Sequence, residues 1–297
     1  MPCAGADPAA WPEGEGASPA ESGTCGPVPA GDAAAARLHQ AREGLAHLVG
    51  LAWSEVLAGR LRRAAPLLAA APADRLRRPA LDDPFWAALI DAVTVQETRL
   101  FRTAPQLLAL AALAFPALAV PGRPLRILSA GCATGEEAWS LAALAAEAGL
   151  PARILGLDLC RPALARAASG RFEPGPPDPL REVPEAYRPY FPADAAGTLC
   201  ARPGEAVAVS FARANLCVLA PPDAAPAAPP EAAEQDIILC RNVLIYLTPD
   251  ARAAVLRGLC ARLAPGGARC CSAPPTCRRP GLACGWDTAQ PSLWRRA

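Results

Sequence analysis

The chain has 297 residues, room for one large or two modest domains at roughly 150 residues each, which excludes a peptide or a disulfide mini-protein. Its 29 basic residues, all arginine, and 28 acidic ones leave a formal charge of +1, which excludes a broad basic footprint for nucleic acid or an anionic membrane surface. Hydrophobic residues make up 52% but aromatics only 5%, and with 35 prolines and 23 glycines much of the chain is turn or linker rather than core.

Residues 1–32 combine Pro, Gly, Ala and Ser with scattered acids and no apolar period, the pattern of a disordered tail. No basic segment followed by an apolar one opens the chain, so it is read as cytoplasmic and its 12 cysteines as reduced thiols. From 33 to 116 apolar residues recur at helical spacing, as in Leu45, Leu48, Val49, Trp53, Val56 and Leu57, then Phe85, Trp86, Leu89, Ile90 and Val93. This predicts an N-terminal all-helical domain. Its arginines (Arg60, Arg62, Arg63, Arg75, Arg77, Arg78) read either as solvated helix faces or as a docking face for an acidic partner. The apolar run from Leu107 to Val120 is shorter than the ~18 residues that span a bilayer and is interrupted by Pro116, so it predicts a buried helix followed by a linker, with no membrane insertion.

A second domain is expected over 117–267. Leu125–Ala130 reads as a strand, Gly131–Gly135 as a tight loop, Glu136–Gly149 as a helix, and Arg153–Asp158 as a second strand with an acid at its tip. This is the first unit of a doubly wound, mostly parallel α/β sheet. A helix from about Pro162 to Gly170 follows. Residues 171–210, rich in Pro, Arg and acids with a short alternating stretch at Ala206–Phe211, read as an insertion. The domain resumes at Asn215-Leu216, crosses a Pro/Ala linker at 220–232, and ends with a strand Asp236–Cys240 and a helix from about Pro249 to Leu263 closed by Ala264–Gly267.

The loop Gly131-x-x-x-Gly135 lacks the G-x-G-x-x-G spacing, which disfavours a pyrophosphate on the helix N-terminus. Asp158 can accept ribose hydroxyls, and Glu136 and Glu137 suit the macrodipole and a cationic amino-acid group rather than a phosphate. S-Adenosylmethionine has that ammonium and no phosphate; an ordinary αβ turn is the plainer reading of the loop.

Four stretches in order, Glu97-Thr-Arg-Leu-Phe-Arg102, Ser129–Glu137, Asn215-Leu216 and Cys240-Arg-Asn-Val-Leu-Ile-Tyr246, resemble the motifs of the CheR-type chemotaxis receptor protein-glutamate O-methyltransferases, over about residue 40 to Gly267. The resemblance implies a class I S-adenosylmethionine-dependent methyltransferase domain with a small inserted β subdomain. It implies cofactor contacts at Thr98, Arg102, Glu136, Asp158, Asn215, Leu216, Arg241 and Asn242, with Arg102 and Tyr246 nearest the transferred methyl. The implied partner is the cytoplasmic helical region of a chemoreceptor or a similar signalling protein, met by a monomer.

Gln96, Leu100 and Ala138-Trp139 depart from the family, which has Asn, Phe and Pro-Tyr there. Beyond Gly267 the chain departs further: residues 268–297, with repeated prolines and little alternation, are poor strand material, which would leave the sheet edge exposed. Cys270, Cys271, Cys277 and Cys284 lack a C-x₂-C pair, so no metal site is expected. That terminus supports a rival reading, a catalytically degenerate binding module of a signalling complex. A proline-laden insertion does not predict capture of a receptor tail by strand addition.

Overall fold

The computed structural model describes residues 30–219, 234–271 and 293–295. Most of the expected tail and the whole 220–232 linker lie outside them. The first helix, α1 (Ala30–Val49), begins inside the expected tail. Four short helices follow: α2 (Glu55–Arg63), α3 (Ala65–Ala70), α4 (Ala73–Arg77) and α5 (Pro84–Val93). Local chemistry sets their starts. Ser54 Oγ accepts the Leu57 amide ahead of α2, and Asp83 accepts the amides of Phe85 and Trp86 ahead of α5, where Pro84 occupies the first turn. Their apolar faces close around Leu45, Leu61, Leu89, Ile90 and Trp86, whose indole N–H donates to the Arg75 carbonyl at 2.9 Å.

The sixth helix, α6 (Ala104–Leu118), does not belong to that core. Leu107, Leu110, Ala114 and Phe115 pack with the sheet, so the packing boundary falls between Val93 and Leu100, ahead of the expected break at 116. Nor does Pro116 end the helix, which continues to Leu118. A proline in the last turn removes only a terminal backbone bond.

The sheet comprises β1 (Leu125–Ala130), β2 (Ala152–Asp158), β5 (Val207–Arg213), β6 (Gln235–Cys240), β7 (Leu263–Cys271) and β8 (Leu293–Arg295), in the order β5-β2-β1-β6-β7-β8. All neighbours are parallel except β7 and β8. The helix α7 (Glu136–Glu147) joins β1 to β2 and packs with α6, while α9 (Pro249–Arg262) builds the core of the other face through Val255 and Leu259. The helix α8 (Arg161–Ser169) lies against β2 and β5. The sheet is therefore doubly wound. Its order reverses at β1, so a cleft opens beyond the carboxyl ends of β1, β2 and β6.

Two expectations are corrected. The alternating stretch at Ala206–Phe211 is the edge strand β5 of the main sheet, registered Ala152↔Val207 to Asp158↔Arg213, and not part of the insertion. A half-exposed edge strand alternates just as a local hairpin does. What remains of the inserted subdomain is one antiparallel pair, β3 (Arg171–Phe172) with β4 (Leu199–Cys200), and a 3-10 turn at Glu185–Tyr190.

The C-terminal segment also pairs. Residues 263–271, including Ala264–Gly267, form β7 beside β6, and 293–295 add β8; residues 272–292, with Cys277 and Cys284, lie outside the description. A register shift between Gln235 and Ile237 absorbs the Pro-Gly-Gly run, and Ala268 is then buried opposite Ile237.

Candidate active site

The cleft at the strand tips is lined from every element that reaches it. The segment 93–102 forms one wall, Gly131–Ala133 and Glu137 the floor, Asp158 and Leu159 the second strand's end, Asn215–Cys217 another wall, and Arg241–Val243 with Tyr246 and Leu247 the side beyond β6. Of the residues singled out from sequence, Thr98, Arg102, Asp158, Asn215, Leu216, Arg241, Asn242 and Tyr246 line the cleft together.

Glu136 does not. Its side chain accepts a hydrogen bond from Thr134 Oγ1 at 2.7 Å outside the cleft lining, and burial lifts its pKa above the usual carboxylate range. The glutamate of the pair that faces the cleft is Glu137, which accepts from Ser129 Oγ at 2.7 Å and from Arg241 Nη1 at 3.1 Å. Adjacent helix residues point about 100° apart, and nothing in a Glu-Glu pair says which one turns inward.

The glycine loop requires glycine at two points. Gly131 has φ +79° and a side-chain carbon there would meet Val243 at 2.3 Å; Gly135 has φ +93° and would meet Ala167 at 2.8 Å. Between them Ala133 takes φ +49° without that freedom, and its amide donates to Asp158 Oδ2 at 2.9 Å. Asp158 Oδ1 accepts the Cys160 amide at 2.9 Å. Burial raises the Asp158 pKa, opposed by hydrogen bonds from the backbone amides of Cys160, Ala133 and Leu159. Cys132 beside it is a buried thiol whose pKa burial pushes up.

Arg241 is almost fully buried and donates from all three of its nitrogens. Besides Glu137 it donates from Nε to Gln106 Oε1 at 2.8 Å and from Nη2 to the Arg102 carbonyl at 2.5 Å. Its work is to join three elements, and Gln106 is a partner with no motif to announce it. Asn215 is similarly committed: Nδ2 donates to the Leu48 carbonyl at 2.7 Å and Oδ1 accepts the Cys217 amide at 3.0 Å. Leu216 gives an apolar wall. Arg102 donates from Nη1 to the Glu97 carbonyl at 2.6 Å and lies 3.5 Å from the Glu97 carboxylate, its side chain about one quarter exposed at the cleft.

Backbone strain concentrates here. Of the five non-glycine residues with positive φ among those described, Phe101 and Thr103 flank Arg102, Ala133 lies in the glycine loop and Asn242 follows β6.

The residue set fits S-adenosylmethionine. Gln96 lines the cleft with a buried Oε1 that has no partner among the described residues, an acceptor suited to an ammonium or hydroxyl, while its Nε2 donates to Thr94. Asp158 and Glu137 add carboxylates on the same surface, which suits a cationic, phosphate-free ligand and opposes a pyrophosphate.

Comparison with known proteins agrees with this geometry. Residues 96–269 match the family described as CheR methyltransferase, SAM binding domain, and the chain belongs to that family. Chemotaxis protein methyltransferase 1 of Vibrio cholerae is 30% identical over 200 residues, covering 61% of this chain and 64% of that protein. Chemotaxis protein methyltransferase 1 of Pseudomonas aeruginosa is 29% identical over 60% of this chain and 65% of its own length. The probable biofilm formation methyltransferase WspC of Pseudomonas aeruginosa is 35% identical over 61% of this chain and 42% of its own. The chain thus spans less than two thirds of each of these relatives.

Proposed function

We propose that the protein transfers the methyl group of S-adenosylmethionine to glutamate side chains of a chemoreceptor or related signalling protein, forming methyl esters. The observation that carries this reading is the convergence of Thr98, Arg102, Asp158, Arg241 and Tyr246, distant in sequence, on one cleft of a chain that belongs to the CheR family.

S-Adenosylmethionine, when bound, supplies an electrophilic methyl on a sulfonium. Asp158 would hold the ribose hydroxyls, Leu216 would flank the adenine, and Gln96 and Thr98 would meet the amino-acid end. The acceptor glutamate is ionised at neutral pH and attacks without losing a proton, so the site needs no general base. Alignment is what accelerates such a reaction. Arg102 pairs with the incoming carboxylate in place of Glu97, and the Tyr246 phenol donates to it at the same mouth. Arg241 fixes the Arg102 backbone and the Glu137 carboxylate by hydrogen bonds without touching the reacting atoms.

The reading as a degenerate binding module drew on a terminus unable to complete the sheet, and the β6–β7–β8 pairing removes that motive. No described helix is long and apolar enough to cross a membrane. With the thiols of Cys132, Cys160, Cys200 and Cys217 free, this supports the cytoplasmic placement. The test is incubation with methyl-labelled cofactor and a receptor cytoplasmic fragment. Label on the fragment that mild base releases as methanol is expected; base-stable label or none overturns the reading.

A further inference from the structure

We propose that Glu182, in the inserted segment, is a positioning residue for the turn that carries Arg102, which makes the insertion part of the working cleft. The proposal rests on the reading of that cleft given above.

Residues 99–103 form a turn in which Phe101 and Thr103, on either side of Arg102, take left-handed backbone with φ of 54° and 59°. Side chains with a Cβ resist that region, so the turn persists only where its surroundings determine it. Glu182 grips both ends. One carboxylate oxygen accepts from Arg99 Nε, and the other accepts the Thr103 amide at 3.3 Å. From the same insertion the Tyr187 ring packs 4.9 Å from the ring of Phe101, which is fully buried. The sheet domain completes the clamp: Ser140 Oγ accepts the Phe101 amide at 2.8 Å, and Arg241 Nη2 reaches the Arg102 carbonyl.

An ordinary surface ion pair would end at Arg99, which also lies 3.9 Å from Glu97, as Glu182 does from Arg181. Two features set this contact apart. Glu182 takes a backbone amide of a left-handed residue that precedes α6, and among the described residues no other carboxylate of its segment is hydrogen-bonded to the turn. Its side chain is about 29% exposed, so the fold does not depend on burying it. Without Glu182, the Thr103 amide loses its partner and the turn that carries Arg102 into the cleft lining loses the bond that ties its two ends.

The experiment uses the full chain, with S-adenosylhomocysteine as the calorimetric probe and amide hydrogen exchange across 99–103 as a readout that needs no cofactor. Glu182→Ala is expected to speed exchange at Phe101, Arg102 and Thr103. It should weaken S-adenosylhomocysteine about tenfold, the loss of one charge-assisted contact, with the unfolding midpoint unchanged. Glu182→Gln, which keeps an acceptor for the Thr103 amide, should recover most of the affinity. Wild-type exchange and affinity in Glu182→Ala would overturn the proposal, as would equal losses in both variants accompanied by a lowered midpoint. If the wild-type protein gives no binding heat, the reading of the cleft fails, and the exchange comparison still decides whether Glu182 braces the turn.

Discussion

Arg241 and Glu137 form an ion pair of 3.1 Å at the tip of the sheet, between the end of β6 and the first turn of α7, with both side chains largely buried. Because the same guanidinium also holds Gln106 and the Arg102 carbonyl, the pair ties the cleft floor at Glu137 to the turn that carries Arg102. Removing one partner of a buried pair leaves the other uncompensated. Arg241→Ala is expected to cost about 3 kcal/mol in urea unfolding. Arg241→Lys should fold but bind S-adenosylhomocysteine about tenfold more weakly, since an ammonium cannot reproduce a planar three-way fork. Equal binding by the lysine variant would show that the fork has no bearing on the cleft.

In the reading proposed above, Tyr246 serves the reacting end rather than cofactor affinity. Tyr246→Phe keeps the ring that lines the cleft and removes only the phenol. Turnover on an acceptor should fall about tenfold or more, the loss of one hydrogen bond made to a charged group, while S-adenosylhomocysteine affinity stays at the wild-type value. A fall in affinity with turnover unchanged would reverse the assignment.

A separate ion cluster lies away from the cleft. Asp236, nearly buried at the start of β6, accepts Arg123 Nη1 at 2.7 Å and Nη2 at 3.0 Å and also the Arg126 amide at 2.8 Å. Burial opposes its ionisation, but the hydrogen bonds from Arg123 and Arg126 outweigh this and hold its pKa below the usual carboxylate range. A carboxylate with a depressed folded pKa stabilises the fold above its unfolded pKa, near 4, and that stability is lost as pH falls through the lower folded value. Asp236→Asn should lower stability by about 2 kcal/mol at pH 7. The gap to wild type should close in urea titrations carried down through pH 4 to 2, and a gap constant across that range would refute the linkage.

The exposed arginines Arg62, Arg63 and Arg77 on the helical domain retain both readings made from sequence. If the acceptor is an acidic helical segment, reversing the three charges should slow its methylation, most at low salt, without changing S-adenosylhomocysteine binding. Methylation unaffected at every salt concentration would leave these residues as a solvated face.

How much was legible follows from the kind of signal each residue gives. Asp158, Gly131 and Gly135 sit at strand ends and turns, where backbone geometry restricts residue type, and the β1–α7–β2 unit could be read directly. The inward glutamate could not, because Glu136 and Glu137 differ only in their direction around α7. Gln106 and Glu182 act through contacts across 135 and 79 residues, which no local pattern records. The strand β7 was hidden for another reason: burial beside β6 and a register shift let Pro265, Gly266 and Gly267 lie within a strand that their own propensities oppose.

The same burial that lifts the Asp158 pKa gives the cofactor site a pH signature. A carboxyl raised above its usual range protonates earlier as the medium is acidified, so ligand affinity should fall on the acid side of neutrality. The unliganded fold contributes the opposite trend: a raised folded pKa stabilises below the unfolded value, and that stability is lost as pH rises through the folded one.

The most direct measurement is a calorimetric titration of the full chain with S-adenosylhomocysteine at pH 7, beside Asp158→Ala. Micromolar binding by the wild type, abolished in a folded Asp158→Ala protein, is the predicted result. A folded wild type that takes up no ligand, or a variant that binds as well as wild type, would contradict the assignment of this cleft as the S-adenosylmethionine site.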